Sequence, residues 1–249
     1  MHRLKCSEVW GGIKDKDQEA RSAGLAASLY SSSCEGGKGG DIYYFSVCDN
    51  DMLTRIAVAD VVGHGSAVSD VSKSLYEALK NRMNDLDGSQ VLADLNAYAT
   101  ERGLAAMTTA SIVAYYTRDA FGYFARAGHH PPLLRRWGRR TWRALLPALE
   151  RPGEGLLDMP LGVLHQTGYQ QQRVRLDWGD RLLLYTDGLI EAPSPDGQRF
   201  GLERLHAVLD GLGEASLGET KAAVLDAVKR HSGGPLVHDD VTIVVIEVL

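Results

Sequence analysis

Two β-rich runs, residues 42–48 and 53–61, flank Asp49-Asn50-Asp51, a cluster of turn-forming residues. A hairpin folded about Asn50 sets Asp41 opposite Asp60 at its open end. Directly opposed Cβ atoms in such a ladder lie about 4.5–5.5 Å apart, and like charges there destabilise the sheet. Any fold built on this hairpin must hold one carboxylate protonated or place a cation between the two.

The pattern on either side extends the architecture. Val68, Val71, Leu75, Leu79 and Met83 share one helical face over residues 66–83. Val91, Leu92, Leu95 and Tyr98 recur at helical spacing after Asp87-Gly88-Ser89. Residues 108–116 and 121–127 read as a second hairpin around Arg118-Asp119, with further strands at 133–137, 171–176 and 181–186. Helices are expected over 201–212 and 217–231, then a closing strand over 241–248. Hairpins interrupted by helices in pairs argue for α+β rather than a parallel βαβ sheet. Leu182-Leu183-Leu184 and residues 241–246 are apolar without alternation, as in strands covered on both faces. Two stacked, mainly antiparallel sheets with a helix pair outside each satisfy both signals, giving a four-layer α/β/β/α sandwich. Residues 1–37, rich in Ser and Gly, are expected as an irregular lead-in with one strand at most, and 38–249 as the motif-bearing core of a single domain. Two prolines and a glycine in residues 191–197 mark a flexible insertion.

Composition excludes several function classes. The chain has 249 residues, enough to bury a large core without disulfide or metal staples. It lacks a run of 18 apolar residues and an apolar amino-terminal leader, so no membrane partner is expected. Cys6, Cys34 and Cys48 are odd in number and show no paired spacing, as in a reducing, cytoplasmic setting. With 27 Lys and Arg against 32 Asp and Glu, the net charge of −5 argues against nucleic acid as a general partner.

Asp187 follows the strand 181–186 and precedes Gly188, while Asp239 and Asp240 immediately precede the strand from Val241. Together with Asp41 and Asp60 they set carboxylates at four strand ends, a donor set suited to hard divalent cations such as Mg²⁺ or Mn²⁺. Taken singly, an aspartate beside glycine is a turn former. No His and Cys set stands at zinc-binding spacing.

Six motifs occur in order: Gly39-Gly40-Asp41; Ala59-Asp60 with Gly63-His64-Gly65; Ala127-Gly128-His129-His130-Pro131-Pro132; Pro160-Leu161-Gly162; Tyr185-Thr186-Asp187-Gly188-Leu189-Ile190-Glu191-Ala192; and Asp239-Asp240-Val241-Thr242. From about residue 38 onward the chain resembles the bacterial, SpoIIE-like subgroup of the metal-dependent PPM serine/threonine phosphatases, relatives of the type 2C phosphatases. The resemblance implies a centre of two Mn²⁺ or Mg²⁺ ions. Asp60 would bridge them with help from the Val61 carbonyl, Asp41 and Asp187 would hold ions directly or through water, and Asp239 would complete the set ahead of Asp240. Asp60 and Asp41 would thereby position the attacking water. It also implies a phosphoprotein substrate of the anti-sigma-factor antagonist type and partner-switching signalling. Since nearly the whole chain reads as catalytic domain, a sensor module is expected to be absent or on a separate protein. A catalytically weak phosphoprotein-binding regulator and a hydrolase of small phosphorylated metabolites are the alternatives. The subgroup often carries a second acid three residues after the first motif aspartate, where this chain has Tyr44.

Other residues are read more conservatively. Ser66 lacks a nucleophile elbow and reads as a helix-start residue. His64 is a candidate for proton transfer or for packing in its turn, His129 and His130 for shaping their loop, and His238 for orienting Asp239. The glycines around Lys38 lack the Gly-Lys-Ser/Thr ending of a phosphate loop. Residues 120–149 hold Arg126, Arg135, Arg136, Arg139, Arg140 and Arg143 and no acid. That strip is either a solvated face or a docking strip for an acidic phosphoprotein, with nucleic acid a weaker option.

Overall fold

The computed structural model describes residues 1–82, 84–146 and 157–249. Its strands are β1 (His2–Arg3), β2 (Glu8–Lys14), β3 (Lys16–Arg21), β4 (Leu25–Ser32), β5 (Lys38–Cys48), β6 (Leu53–Val61), β7 (Thr108–Tyr116), β8 (Phe121–Ala127), β9 (Leu133–Arg135), β10 (Arg143–Ala144), β11 (Gln171–Arg175), β12 (Arg181–Tyr185) and β13 (Val241–Val248). The helices are α1 (Ser69–Lys80), α2 (Gly88–Thr100), α3 (Asp187–Ile190), α4 (Gly201–Gly211) and α5 (Leu217–Ser232). One sheet runs β1-β3-β4-β13-β12-β9-β10 and the other β11-β8-β7-β6-β5-β2. Every pairing between these strands is antiparallel except β1 with β3.

Strand alternation builds the layers. Tyr43 and Phe45 of β5, Ile56 and Val58 of β6, Leu182 and Leu184 of β12, and Val244 and Ile246 of β13 meet in one core between the sheets. Their neighbours face outward. Ile42 and Tyr44 pack with Leu75, Leu79, Leu92 and Leu95 of α1 and α2. Leu183, Ile243 and Val245 pack with Leu205, Leu209, Val224 and Val228 of α4 and α5. This is the expected four-layer α+β sandwich, and it explains the strands without alternation, since each is covered on both faces. No described helix is long and apolar enough to cross a membrane.

The amino-terminal expectation is corrected. Residues 1–37 are not an irregular lead-in: they carry β1 to β4, and β4 lies beside β13 near the middle of its sheet. β4 reads Leu-Ala-Ala-Ser-Leu-Tyr-Ser-Ser, whose small side chains have weak strand propensity yet are almost all buried. β2 holds Gly11, where a Cβ would lie 2.5 Å from the Tyr43 carbonyl oxygen and 2.9 Å from the Tyr76 ring. Close approach, rather than disorder, explains the glycine.

Smaller differences follow from side-chain capture of backbone groups. The strand expected over 133–137 stops at Arg135, because the Trp137 N–H donates to Asp180 Oδ1 at 2.8 Å. Residues 191–197, expected as a flexible insertion, belong to a closed turn: Ser194 N–H donates to the Gln198 carbonyl at 2.8 Å, and Glu191 pairs with Arg199 at 2.6 Å. The 66–83 periodicity resolves into a 3-10 turn, Gly65–Val68, followed by α1, while Met83 lies outside the described residues.

α5 starts with a capping box, in which the Ser216 hydroxyl accepts from Glu219 N–H and the Glu219 carboxylate accepts from Ser216 N–H. Ser216→Ala is expected to cost about 1 kcal/mol of unfolding free energy, leaving an unmade bond at the helix start. Urea unfolding of the two proteins measures it, and equal midpoints would show that the outer helix pair does not depend on this cap.

Candidate metal centre

Asp41 and Asp60 are directly paired across β5 and β6, as the hairpin arithmetic requires. Alternation turns both carboxyls inward, because Asp41 shares the face of Tyr43 and Phe45, and Asp60 that of Val58 and Ile56. The same rule turns Thr109 inward from β7, where it pairs with Asp60, and Thr242 inward from β13. The hydrophobic filling between the sheets therefore ends in a polar layer.

The opposite sheet supplies the remaining acids. β12 ends at Tyr185 and β13 begins at Val241, so Asp187 and Asp239-Asp240 reach the same end of the sandwich. The chain also crosses from β4 to β5 there, through residues 33–37. Thr186 Oγ1 donates to Asp41 Oδ2 at 2.8 Å and accepts from Thr242 N–H at 2.9 Å, tying the two sheets together.

Asp240 has a different job from its neighbour. Its Oδ2 accepts from Gly40 N–H at 2.5 Å and Gly65 N–H at 3.0 Å, and its Oδ1 accepts from Cys34 N–H at 2.9 Å. One buried carboxylate thus gathers the 33–37 connection, the start of β5 and the turn at Gly65 around the centre. The glycines beside the aspartates serve this crowding: a Cβ at Gly188 would come within 2.0 Å of the Asp240 carbonyl oxygen, and one at Gly39 within 2.6 Å of its carboxylate. Asp239 is half-buried and accepts from Asp240 N–H at 2.8 Å.

Electrostatics show what the layer lacks. Burial raises Asp41 well above the usual carboxylate range, assisted by the charges of Asp240 and Asp187 and opposed by bonds from Thr242 and Thr186. Asp60 is pushed up to about 10, first by burial and then by Asp41, Asp187, Asp239 and Asp240. Asp239 is raised by burial, and Asp187 and Asp240 add to the shift. Asp41 Oδ1 is buried without a hydrogen-bond partner. Among the described residues no three acidic, His or Cys side chains are drawn together tightly enough to hold one ion as they stand. The donor chemistry nevertheless suits a hard divalent cation. Asp41, Asp60, Asp187 and Asp239, with the Val61 carbonyl, could hold one, and the unpartnered Asp41 oxygen is the atom that most needs it.

The histidines divide by position. His129 is fully buried, with Nδ1 2.7 Å from Thr109 Oγ1 and Nε2 2.9 Å from the Tyr185 carbonyl. It therefore struts the neighbour of Asp60 against the strand leading to Asp187. Burial pushes its pKa down to about 3, with the charges of His130 and Arg126 adding to the effect, so it bridges as the neutral ring. His130 stacks on Tyr185 at 5.6 Å. His238 Nε2 lies 2.8 Å from the Gly188 carbonyl, so it steadies the Asp187 turn rather than Asp239. His64 is exposed, with Nδ1 3.3 Å from Cys34 Sγ. Ser66 donates to Glu35 Oε2 through both N–H and Oγ, at 3.0 and 2.8 Å. Tyr44 faces α1 and α2, away from the polar layer.

The arginine strip is split. Arg135 is buried and donates to the Gly213 carbonyl at 2.5 Å, Arg136 pairs with Asp180 at 2.6 Å, and Arg126 donates to the His129 carbonyl at 3.2 Å. Arg139, Arg140 and Arg143 are exposed, and residues 147–149 lie outside the described residues. The parts played by Asp240, Thr109, Thr186 and Thr242 went unread in the sequence. The one signal for Asp240, Thr186 and Thr242 was even spacing on β12 and β13, from Leu182 to Thr186 and from Asp240 to Ile246, and for Thr109 the same alternation on β7 with Val113 and Tyr115.

Comparison with known proteins adds a second line. The family model of stage II sporulation protein E (SpoIIE) matches residues 50–249. The phosphoserine phosphatase RsbU of Bacillus subtilis (strain 168) is 29% identical over 211 residues, which cover 83% of this chain and 58% of RsbU. The structure of the RsbU and RsbW domains of a Mycobacterium tuberculosis protein superposes with a TM-score of 0.76 at 21% identity, covering 96% of this chain and 62% of that one. RsbX, solved in complex with magnesium, gives 0.66 at 18% identity, covering 94% of this chain and 100% of RsbX. These two structures share the fold.

A pH test follows from the raised carboxyls. A folded-state pKa above the unfolded value makes stability greatest at low pH and lowers it as pH climbs from about 4 toward the folded value near 10. In excess chelator, the melting temperature is expected to fall between pH 5 and 9. At pH 8, Asp60→Asn is expected to exceed the parent by about 1.4 kcal/mol or more, the equivalent of one pKa unit. A flat parent profile, or a variant no more stable, would show that the two carboxyls do not strain the fold.

Proposed function

The chain belongs to the SpoIIE family, and from that membership we propose that it is a metal-dependent phosphatase of phosphoserine or phosphothreonine proteins. The observation that carries the reading is the inward pairing of Asp41 with Asp60, one oxygen of which is buried and unpartnered. RsbU, a phosphoserine phosphatase by name, and RsbX, which binds magnesium, support the substrate class and the metal. The substrate we propose is a phosphorylated anti-sigma-factor antagonist in partner-switching signalling, and the setting cytoplasmic. Because β1 to β13 all contribute to the two sheets, residues 1–249 are read as one phosphatase domain.

In this reading Asp41, Asp60, Asp187, Asp239 and the Val61 carbonyl would hold two Mn²⁺ or Mg²⁺ ions, with Asp60 assigned to both. Ions bound there supply Lewis-acid charge to the phosphoryl oxygens and lower the pKa of water. The chain's own part is placement. Thr186 holds one oxygen of Asp41 and leaves the other without a partner, while Asp240 fixes the start of β5 at Gly40 and the turn at Gly65. Asp60 and Asp41 orient the attacking water for displacement at phosphorus, so no covalent phospho-enzyme is required. Burial pushes the Cys34 thiol up to about 11, which keeps it protonated and unsuited to attack. The Ser66 hydroxyl is committed to Glu35.

Phosphate release from a phosphopeptide and from a small aryl phosphate is expected to stop in excess chelator and return with Mn²⁺. Asp60→Asn is expected to lose more activity than Asp41→Asn, since Asp60 is assigned to both ions. Undiminished turnover in chelator would sink the metal mechanism, and turnover of the aryl phosphate alone would favour a small-molecule substrate.

Metal that binds only the folded state stabilises it by roughly 2.7 kcal/mol at 100 times its dissociation constant. The melting temperature is therefore expected to rise with Mn²⁺ in the parent and much less in Asp187→Ala. Identical shifts in the two would remove Asp187 from the ligand set.

A further inference from the structure

Trp137 and Trp178 are 49% and 64% exposed, yet their rings meet edge to face with centroids 4.8 Å apart. They belong to two separate loops, one following β9 and the other preceding β12. Such large apolar side chains are expensive to leave in water, and Trp with Arg dominates the energetic centres of protein interfaces.

The pair is also held rigidly. Asp180, 2% exposed, accepts from Trp137 N–H at 2.8 Å through Oδ1, and from Arg136 Nη1 at 2.6 Å and Asp177 N–H at 3.0 Å through Oδ2. Gly179 adopts a left-handed φ of 78°, and a Cβ there would lie 2.5 Å from the Trp137 ring. One buried carboxylate and one glycine thus lock both loops so that the two indoles project together. A surface ordered in advance binds without the entropic cost of ordering on contact.

Charge indicates what it meets. Arg139 and Arg140 follow Trp137 on the same loop and Arg143 begins β10. All three are exposed, and no ion pair engages any of them among the described residues. Of the nearby carboxylates, Asp180 pairs with Arg136, Asp177 pairs with Arg175 at 3.1 Å, and Asp210 accepts from Trp142 N–H at 2.9 Å, while Glu214, beside Gly213, is exposed. A chain of net charge −5 therefore carries a local cationic rim around an aromatic centre.

Position excludes the phosphoryl group itself. β12 runs from Arg181, beside the Trp pair, to Tyr185, beside Asp187. Its four residue steps alone span about 13 Å, more than the Debye length of about 8–10 Å at physiological ionic strength. The patch lies at the end of the sandwich opposite the metal centre.

We propose that Trp137 and Trp178, rimmed by Arg139, Arg140 and Arg143, form a docking surface for an acidic, partly apolar segment of a partner protein, distinct from the site that takes phosphate. The segment's apolar side chains cover the indoles and its carboxylates meet the arginines, which also steer its approach.

The probe is a synthetic peptide of alternating Glu-Glu-Leu-Leu units, titrated into the whole protein while the indole N–H signals are followed by NMR. The signals of Trp137 and Trp178 are expected to move and that of Trp10, on the opposite sheet, to stay. Affinity is expected to fall about tenfold or more in Trp178→Ala and in Arg139→Glu with Arg140→Glu, and to weaken as salt rises. A Lys-Lys-Leu-Leu peptide and an oligothymidylate serve as controls. Immobile indoles at millimolar acidic peptide, unchanged affinity in the arginine variant, or equal binding of the basic peptide would each overturn the proposal. Stronger binding of the oligothymidylate would replace the protein partner by nucleic acid. Because the readout is binding, and aryl phosphate turnover is expected to be unchanged in both variants, failure here is distinct from failure of the phosphatase reading.

Discussion

Two carboxylates facing each other across one β-ladder, with their backs to a hydrophobic core, are the constraint around which this structure is arranged. Asp41 is buried and Asp60 partly so, and the two cannot be separated, because the register of β5 with β6 sets their spacing and strand alternation sets their direction. Burial is the largest cause of the rise in each, and neighbouring acids add to it: Asp240 and Asp187 at Asp41, and Asp41 itself ahead of Asp187, Asp239 and Asp240 at Asp60. A protonated pair relieves the strain without cations, and divalent ions would relieve it in the centre proposed above. The same geometry would then cost stability without ions and favour their binding.

The surrounding residues make that strain tolerable by holding everything else still. Asp240 gathers three backbone N–H groups, Thr186 joins Asp41 to β13, and neutral His129 joins Thr109 to Tyr185. Each link connects an element of one sheet to an element of the other at the end where the inter-sheet packing runs out. Packing fixes the distance between the sheets, and these polar links extend that fixed distance into the carboxylate layer. The glycines next to the aspartates belong to the same arrangement, since Gly39 and Gly188 leave no room for a side chain beside Asp240.

The opposite end of the sandwich uses charge differently. Arg135 and Arg181 spend their guanidinium groups on the carbonyls of Gly213 and Ala215, tying the α4–α5 connection to the sheet. Arg136 is spent on Asp180. A run of arginines that is uniform in sequence therefore separates into members that hold the fold and members left facing solvent. The partners that folding brings within reach, not composition, make the division.

Much of this was legible before any coordinates. The Asp49-Asn50-Asp51 turn settled the β5–β6 register, and with it the opposition of Asp41 and Asp60, because a hairpin register is a local property. Doubly apolar strands and helices in pairs settled the four layers, since a strand apolar on both faces must be covered on both. The amino-terminal strands were hidden because β4 is built of Ala and Ser and β2 contains Gly11, residues whose value lies in close contact with distant chain. Asp240, Thr109 and Thr186 could not be assigned for the same reason: their partners are 175–206, 20 and 145 residues away. Local order, and the presence of two opposed acids, were determined by the sequence alone. Which carboxylates are gathered with them, which are consumed as staples, and which arginines remain free were decided only by the tertiary structure, because hydrogen bonding and desolvation depend on neighbours that the chain brings together by folding.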